Sequence, residues 1–297
     1  MTSTWYSPIG RHHPLAGQIW NVQSARFTRE RDLVAALASA RMVLLGENHD
    51  NYDHHRLQAS ILRAMVDAGR HPAVAFEMLD SDEQQKVDDA LMVTPRSSDA
   101  IARAVGWEKK GWPPWPAYAQ IANVAVDRGL PIVAANLPLR EVRAIARQGL
   151  GAVDAREADA LGLNEPMPED LAASLRDELV ASHCGHLRGD AVERMALAQR
   201  ARDGQMAARM LLASRGDGAV LIAGAGHARR DRGVPRALAR RDATITIASV
   251  AFVEVDDGVL EPHGYAAKWH AATLPFDYVV FTPRASDEDA CANMRRK

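Results

Sequence analysis

Residues 42–50 read MVLLGENHD, an apolar run that passes straight into a glycine, a carboxylate and an imidazole. The run has the composition of a buried strand, and Gly46 lets the backbone turn tightly after it. In open parallel sheets, ligands bind at the carboxyl ends of the strands because strand-to-helix loops and helix N-termini meet there. The stretch therefore predicts a strand that delivers Glu47 and His49 to a binding edge.

Similar apolar runs alternate with long amphipathic segments along the rest of the chain. This alternation is typical of an α/β fold with a mostly parallel central sheet flanked by helices. A helix over 53–68, with Asp53 as its N-cap, joins the first two strands. We predict the further strands at 73–76, 132–135, 220–223, 244–255 and 278–281, of which the last two suggest a longer, antiparallel edge.

One large domain is the expected organisation for a chain of 297 residues of which 47% are hydrophobic. We place an N-terminal extension and a first helix in 1–40, the α/β domain in 41–283 and a loosely held tail in 284–297. Residues 140–215 are dense in Ala, Leu, Arg and Glu, which predicts a helical insertion between the third and fourth strands.

Composition excludes several classes of protein. The formal net charge is -2, so nucleic-acid binding is not expected. No run approaches about 18 apolar residues, so no transmembrane segment is expected, and without a signal sequence cytoplasmic residence is the default. Cys184 and Cys291 are too few for a disulfide scaffold, and their spacing gives no hint of pairing.

Two further strands are also followed by polar residues. Glu77 comes directly after the run 73–76, and the fourth strand ends in Gly224 and His227, which repeat the Gly-x-x-His spacing of Gly46 and His49. Imidazoles and carboxylates are ligands that divalent metals accept, so His49, Glu77 and His227 are candidate metal ligands. A histidine at a strand end can equally cap a helix or form a surface hydrogen bond.

A predicted helix over 190–214 carries polar residues on its apolar stripe. Gln199 and Asp203 interrupt the stripe, and Arg202 lies beside them. Buried polar groups need partners, so these three residues either support the site or form a hydrogen-bond network between helices.

Three short segments offer further ligands, each with a structural alternative. The sequence SHCGH at 182–186 can ligate a metal or haem through the imidazoles of His183 and His186 and the thiol of Cys184, or it can be a helix end with a glycine cap. The tryptophan- and proline-rich loop 107–116 can cover a flat apolar ligand or pack on the sheet. The cations at 229–232, including Arg229, can hold ligand carboxylates or be solvated.

Seven motifs in the right order make the chain resemble the ChaN-like haem-binding uptake family, part of the wider Tiki/TraB and erythromycin-esterase-like superfamily. They are LLGENHDNYDHHRLQ, VAFEM, AANLP, SHCGHL, AQRARDGQMA, IAGAGHARRDRGVP and FDYVVFT, between about residues 41 and 283.

The resemblance implies an α/β core with added helices, haem as cofactor, a role in haem or iron uptake or trafficking, and in some members a haem-mediated homodimer. It also implies an exported or membrane-associated protein, although this sequence shows no signal or lipidation cysteine near its start. The haem ligands stay open among five residues, since phenolate and imidazole both bind ferric haem. These candidates are Tyr52, Tyr118, His54, His55 and His183.

Two functions follow as hypotheses. The first is haem binding, through the residues Gly46, Glu47, His49, Tyr52, His54, Tyr118, His183, Gly224, His227 and Arg229. The second is a metal-dependent hydrolase, in which His49 or Glu77 activates water and His227 helps to hold a divalent metal ion.

Overall fold

The computed structural model describes residues 4–214, 216–288 and 291. The strands of this part of the chain are β1 (Ile19–Asn21), β2 (Arg26–Thr28), β3 (Met42–Glu47), β4 (Ala73–Asp80), β5 (Ile132–Asn136), β6 (Ala219–Gly224), β7 (Ile247–Glu254) and β8 (Tyr278–Thr282). They form one sheet in the order β2-β1-β8-β7-β3-β6-β4-β5. The predicted α/β fold with a mostly parallel central sheet is confirmed.

Helices cover both faces of the sheet. They are α1 (Glu30–Ser39), α2 (Tyr52–Asp67), α3 (Gln84–Met92), α4 (Ser98–Val105), α5 (Trp115–Asp127), α6 (Leu139–Gln148), α7 (Ala155–Ala160), α8 (Glu169–Ser182), α9 (Asp190–Ala213) and α10 (Val234–Arg241). Short 3-10 segments occupy Ser81–Glu83, Trp107–Lys109, Gly149–Ala152 and Pro262–Trp269. None of the helices in the described ranges is long and apolar enough to span a bilayer.

The central strand β3 explains why its sequence is apolar without alternation. It pairs in parallel with β6 on one side and β7 on the other, and all six of its residues are buried. Val43 and Leu45 enter the core under α2 and α5, whereas Met42 and Leu44 enter the core under α9 and α10. A strand that is covered on both faces needs apolar side chains in both directions.

The antiparallel edge lies elsewhere than the sequence indicated. Strands β7 and β8 run parallel to each other, because the long connection 255–277 carries the chain back to the end of the sheet at which β7 begins. The antiparallel pairs are β1 with β8 and β1 with β2. Residues 1–40 thus supply the edge strand β2 and its neighbour β1 as well as α1, and these three-residue strands are too short to show a period.

The cap of α2 also differs from the prediction. Asn51, not Asp53, is the N-cap, and its side chain accepts a hydrogen bond from the N–H of Asp53. The Asp53 carboxylate instead accepts the N–H groups of Tyr6 and Ser7, at 3.2 and 2.8 Å, and ties the N-terminal segment to α2.

The helical insertion is confirmed, since α6 to α9 lie between β5 and β6. Its predicted last residue, Arg215, lies outside the described residues, as do residues 289–290 and 292–297 of the predicted tail. Cys184, beyond the end of α8, forms a disulfide with Cys291, a pairing that the sequence did not indicate. The bond takes Cys184 out of the list of possible thiolate ligands.

Gly46 is required for a close approach inside the sheet rather than for the turn that the sequence suggested. It is the fifth residue of β3, and a Cβ there would lie 2.8 Å from both Ala225 Cα and Ala228 Cβ. The turn after β6 therefore packs directly on the backbone of β3.

We expect Gly46→Ala to lower the free energy of unfolding by about 2 kcal/mol, because an overpacked core must shift backbone atoms. Urea unfolding followed by circular dichroism measures the change. Gly151→Ala is the matched control, since a Cβ at Gly151 meets nothing within 4 Å. Equal midpoints for the two variants would contradict the close packing of this turn.

Candidate functional site

Three neighbouring strands bring the predicted site residues to one edge. Strand β6 lies between β3 and β4, so Glu47, Gly224 and Glu77 meet at their carboxyl ends. His49 and His227 follow in the loops after β3 and β6. The convergence that the strand ends predicted is present in the fold.

Glu77 lies at the centre of this edge. The pairing of β4 with β5 shifts register between Phe76 and Asp80, the stretch that contains Glu77. The side chain of Glu77 is 2% exposed. One carboxylate oxygen accepts the N–H of Gly224 at 2.6 Å, and the other accepts a hydrogen bond from Arg202. Burial alone would raise the pKa of Glu77, but the charges of His227 and Arg202 lower it well below its usual value. Glu77 is therefore a buried carboxylate ion.

His227 lies between two carboxylates. Its Nε2 is 3.4 Å from Glu77 Oε1, and its Nδ1 donates to Asp203 Oδ1 at 2.6 Å. Burial opposes protonation, but the charges of Glu77 and Asp203 outweigh it and raise the pKa of His227 to about 9. Burial raises the pKa of Asp203, and His227 offsets part of that shift. At neutral pH the imidazole is a buried cation.

Helix α9 supports these groups, which is one of the two roles that the polar interruption of its stripe left open. Gln199 Nε2 lies 3.3 Å from the ring nitrogens of His227, and Arg202 Nε donates to Asn136 Oδ1 at 3.1 Å. The sequence did not single out Asn136. It is a polar residue that follows the apolar run of β5, just as Glu77 follows the apolar run 73–76 of β4. The same signal, a polar residue after an apolar run, would have found it.

Glu47 forms a second buried group beside the first. It accepts a hydrogen bond from Tyr118 Oη at 2.8 Å and lies 2.9 Å from His49 Nδ1 and 3.2 Å from His55 Nε2. Burial would raise the pKa of Glu47, but the charge of His55 and the hydrogen bond of His49 lower it to about 2. Burial and Glu47 raise the pKa of Tyr118, so its hydroxyl stays protonated.

His49 connects the two groups and reaches the surface. Its Nε2 is 3.9 Å from Glu77 Oε2, its side chain is 31% exposed, and its ring packs edge-on against Trp112 with centroids 4.9 Å apart. Burial opposes protonation, but Glu77 and Glu47 raise the pKa of His49. A Cβ at Gly224 would lie 2.9 Å from His49 Nε2, so this glycine makes room for the imidazole.

Several predicted haem residues lie inside the protein. His54 is fully buried, accepts the N–H of Asn48 and bonds to Thr282, and burial lowers its pKa to about 3. Tyr118 and His55 are equally buried around Glu47. Arg229, predicted to hold ligand carboxylates or to be solvated, is also fully buried, where it pairs with Glu178 and Asp231.

The predicted metal ligands meet, but they are not arranged around an ion. Among the described residues, no three His, Cys, Asp or Glu side chains have the geometry of a metal site. The reason is local, because Glu77 already binds Arg202 and the N–H of Gly224, and it attracts His49 and His227 as ion-pair partners. The proposed triad of metal ligands is instead a hydrogen-bonded network of charges.

An open α/β sheet whose edge gathers buried carboxylates, histidines and an arginine defines a protein that binds or transforms a small ligand. The sequence profile described as "Haem-binding uptake, Tiki superfamily, ChaN" matches residues 33–238. The chain belongs to this family of haem-binding uptake proteins. No curated protein sequence matches the chain.

Two solved structures have a similar fold. One is described as cofacial haem binding to ChaN of Campylobacter jejuni; it is 23% identical, covers 88% of this chain and 95% of its own, and has a TM-score of 0.68. The other is a mutant erythromycin esterase in its open conformation, 14% identical, covering 92% of this chain and 99% of its own, with a TM-score of 0.51. At these identities the likeness concerns the fold.

We expect Glu77→Gln to lower the free energy of unfolding by roughly 3 kcal/mol at neutral pH, because it leaves buried cations without their carboxylate. It should also lower the pKa of His227 below about 9. Since His227 has a raised pKa in the folded state, its contribution to stability is complete below about pH 6.5 and is lost as the pH rises through about 9. Between about pH 6.5 and 9, the free energy of unfolding of Glu77→Gln should therefore fall less than that of the wild type.

NMR titration of the imidazole signals and urea unfolding between neutral and alkaline pH measure both effects. Glu108→Gln, an exposed change on the Trp107–Lys109 segment, is the control and should alter neither quantity. An unchanged pKa of His227 in Glu77→Gln would show that the two side chains do not interact as described.

Proposed function

We propose that this protein binds haem at the surface where Tyr52 and His49 emerge from the sheet edge. The observation that carries the proposal is membership of the haem-binding uptake family over residues 33–238. The Campylobacter jejuni relative, with which the chain shares its fold, is described as binding haem cofacially. The residues of this edge provide the chemistry that a porphyrin needs.

Tyr52 is the proposed axial ligand. It is the first residue of α2, directly after the loop that carries His49, and it is 38% exposed. Its ring lies 6.0 Å from that of His55, which in turn lies 4.5 Å from Tyr118. Haem iron accepts a tyrosinate ligand, and aromatic side chains suit the flat apolar face of a porphyrin. Tyr52 thus ends a row of aromatic rings at the surface.

His183 is the second candidate for the axial ligand. It is the C-cap of α8, and its Nδ1 bonds to the carbonyl oxygen of Leu179 at 2.8 Å. This bond fixes the proton on Nδ1 and leaves Nε2 with a lone pair, the arrangement seen in histidines that bind metals. We place it second because Tyr52 lies beside the His49 edge, whereas His183 lies beyond the end of an inserted helix.

Haem held by an exposed side chain such as Tyr52 would leave room for a second protein molecule to bind it from the other side. We therefore propose a homodimer that forms when haem binds, and a role in haem or iron uptake. An exported location agrees with this role, because the disulfide between Cys184 and Cys291 is typical of proteins that reside in oxidising compartments.

We expect hemin titration of the purified protein to give a saturable shift of the Soret band, which Tyr52→Phe abolishes by removing the phenolate ligand. Size exclusion of the same samples should show a larger species only when haem is bound. Tyr6→Phe is the matched control, because Tyr6 is another exposed tyrosine close to the start of α2 and should leave the titration unchanged.

The histidine candidate is tested in the same assay. Retention of the full shift in Tyr52→Phe and its loss in His183→Ala would move the axial ligand to α8, with His186→Ala as control. The absence of any saturable shift in the wild-type protein would contradict haem binding itself.

Hydrolysis is a second candidate, favoured by one observation. His49 Nδ1 is held by the carboxylate of Glu47 at 2.9 Å, its Nε2 lies 3.9 Å from Glu77, and the side chain as a whole is 31% exposed. A histidine oriented by a carboxylate can transfer a proton at its other nitrogen, as in general acid–base catalysis. The site therefore supports proton transfer by His49. Within the described part of the chain, its residues do not form the metal site that the sequence predicted for a metal-dependent hydrolase.

If the protein hydrolyses esters, we expect His49→Ala to reduce kcat by at least about 10²-fold, the usual contribution of a general acid or base. Activity should persist in the presence of a chelator. A panel of chromogenic esters measures the rate, and His71→Ala, an exposed histidine on the N-terminal side of β4, is the control. Unchanged hydrolysis in His49→Ala would assign the activity to another residue or to a contaminant.

A further inference from the structure

A cavity of about 370 Å³ lies on the helical insertion, behind the network of the site. The segment between α7 and α8, helix α9, helix α10 and the loop before α10 form its walls. Among the described residues, four arginines line it, against two acidic residues, Glu165 and Asp203. The arginines are Arg200, Arg232, Arg236 and Arg240.

Both acidic residues already have partners. Glu165 pairs with Arg240 at 3.3 Å, and Asp203 accepts the 2.6 Å hydrogen bond from His227. Arg200 donates to the backbone carbonyl oxygens of Gly162 and Glu165, and neither Arg200 nor Arg236 forms an ion pair with a carboxylate within the described part of the chain. The cavity therefore has an excess of positive charge.

Arg232 supplies an independent indication of a ligand. It is 6% exposed, and its terminal nitrogen binds Glu178, but its Nε is buried without a hydrogen-bond partner. A buried, unpaired donor on a charged group costs free energy that an acceptor in the cavity would recover. Burial lowers the pKa of Arg232, and burial together with the charge of Arg236 lowers that of Arg200. An anion would relieve both effects.

We propose that this cavity is a binding site for a small oxyanion, a molecule with carboxylate or phosphate groups, separate from the haem surface. Guanidinium groups recognise both kinds of oxyanion through paired charge-assisted hydrogen bonds. The volume of about 370 Å³ accommodates a small organic acid or a short phosphate ester. Asp203 lines the cavity and also accepts the hydrogen bond of His227, so only this side chain separates a bound anion from His227.

The test is isothermal titration calorimetry of the full chain with citrate and, separately, with inorganic pyrophosphate. Saturable binding of either one supports the site, and the tighter of the two identifies the carboxylate or the phosphate class. Arg236→Gln and Arg200→Gln should each weaken binding about tenfold or more, the effect of losing one charge-assisted hydrogen bond. Arg236 is exposed, so its variant should fold with an unchanged Tm in the absence of ligand.

The matched control is Arg103→Gln, an exposed arginine on α4, which packs against the opposite face of the sheet. It should bind the anion like the wild type. The proposal is wrong if neither anion gives saturable heat, or if Arg103→Gln weakens binding as much as the cavity variants. It is also wrong if hemin displaces the anion, because the cavity would then belong to the haem surface.

Discussion

The buried carboxylate of Glu77 is the constraint on which the rest of the site depends. A carboxylate ion at the end of a buried strand is costly unless charges and donors surround it. The partners of the Glu77 carboxylate come from different elements. The N–H of Gly224 belongs to β6, Arg202 to α9, and His227 to the loop after β6. The inserted helix α9 is thereby fixed to the sheet edge by electrostatics as well as by packing.

Pairing of opposite charges explains how so many ionisable groups fit in one place. Three carboxylates, Glu47, Glu77 and Asp203, each have at least one cationic partner among His49, His55, His227 and Arg202. Each pKa shift of the two histidines and of the two glutamates favours the charged form against burial. Removing one member therefore leaves an unpaired charge, and the network behaves as a unit rather than as a set of separate pairs.

The sequence predicted the convergence of the strand ends because that property follows from local pattern. Glu47, Glu77 and His227 each follow an apolar run, and parallel strands place their ends together. It did not predict which partners they take, since Tyr118 on α5 and Asn136 on β5 meet the site only through the three-dimensional arrangement. The same limit applies to the disulfide and to the pairing of β1 with β8, whose partners are distant in sequence.

The position of His49 places both proposals on one edge. Its Nδ1 contacts the buried carboxylate of Glu47, whereas its side chain is 31% exposed and packs beside Trp112. A porphyrin over this surface would cover the imidazole and stop proton transfer to solvent or substrate, while an uncovered imidazole is free to exchange its proton. The two proposals therefore exclude each other at this side chain, and what lies over His49, rather than the network beneath it, would decide between them.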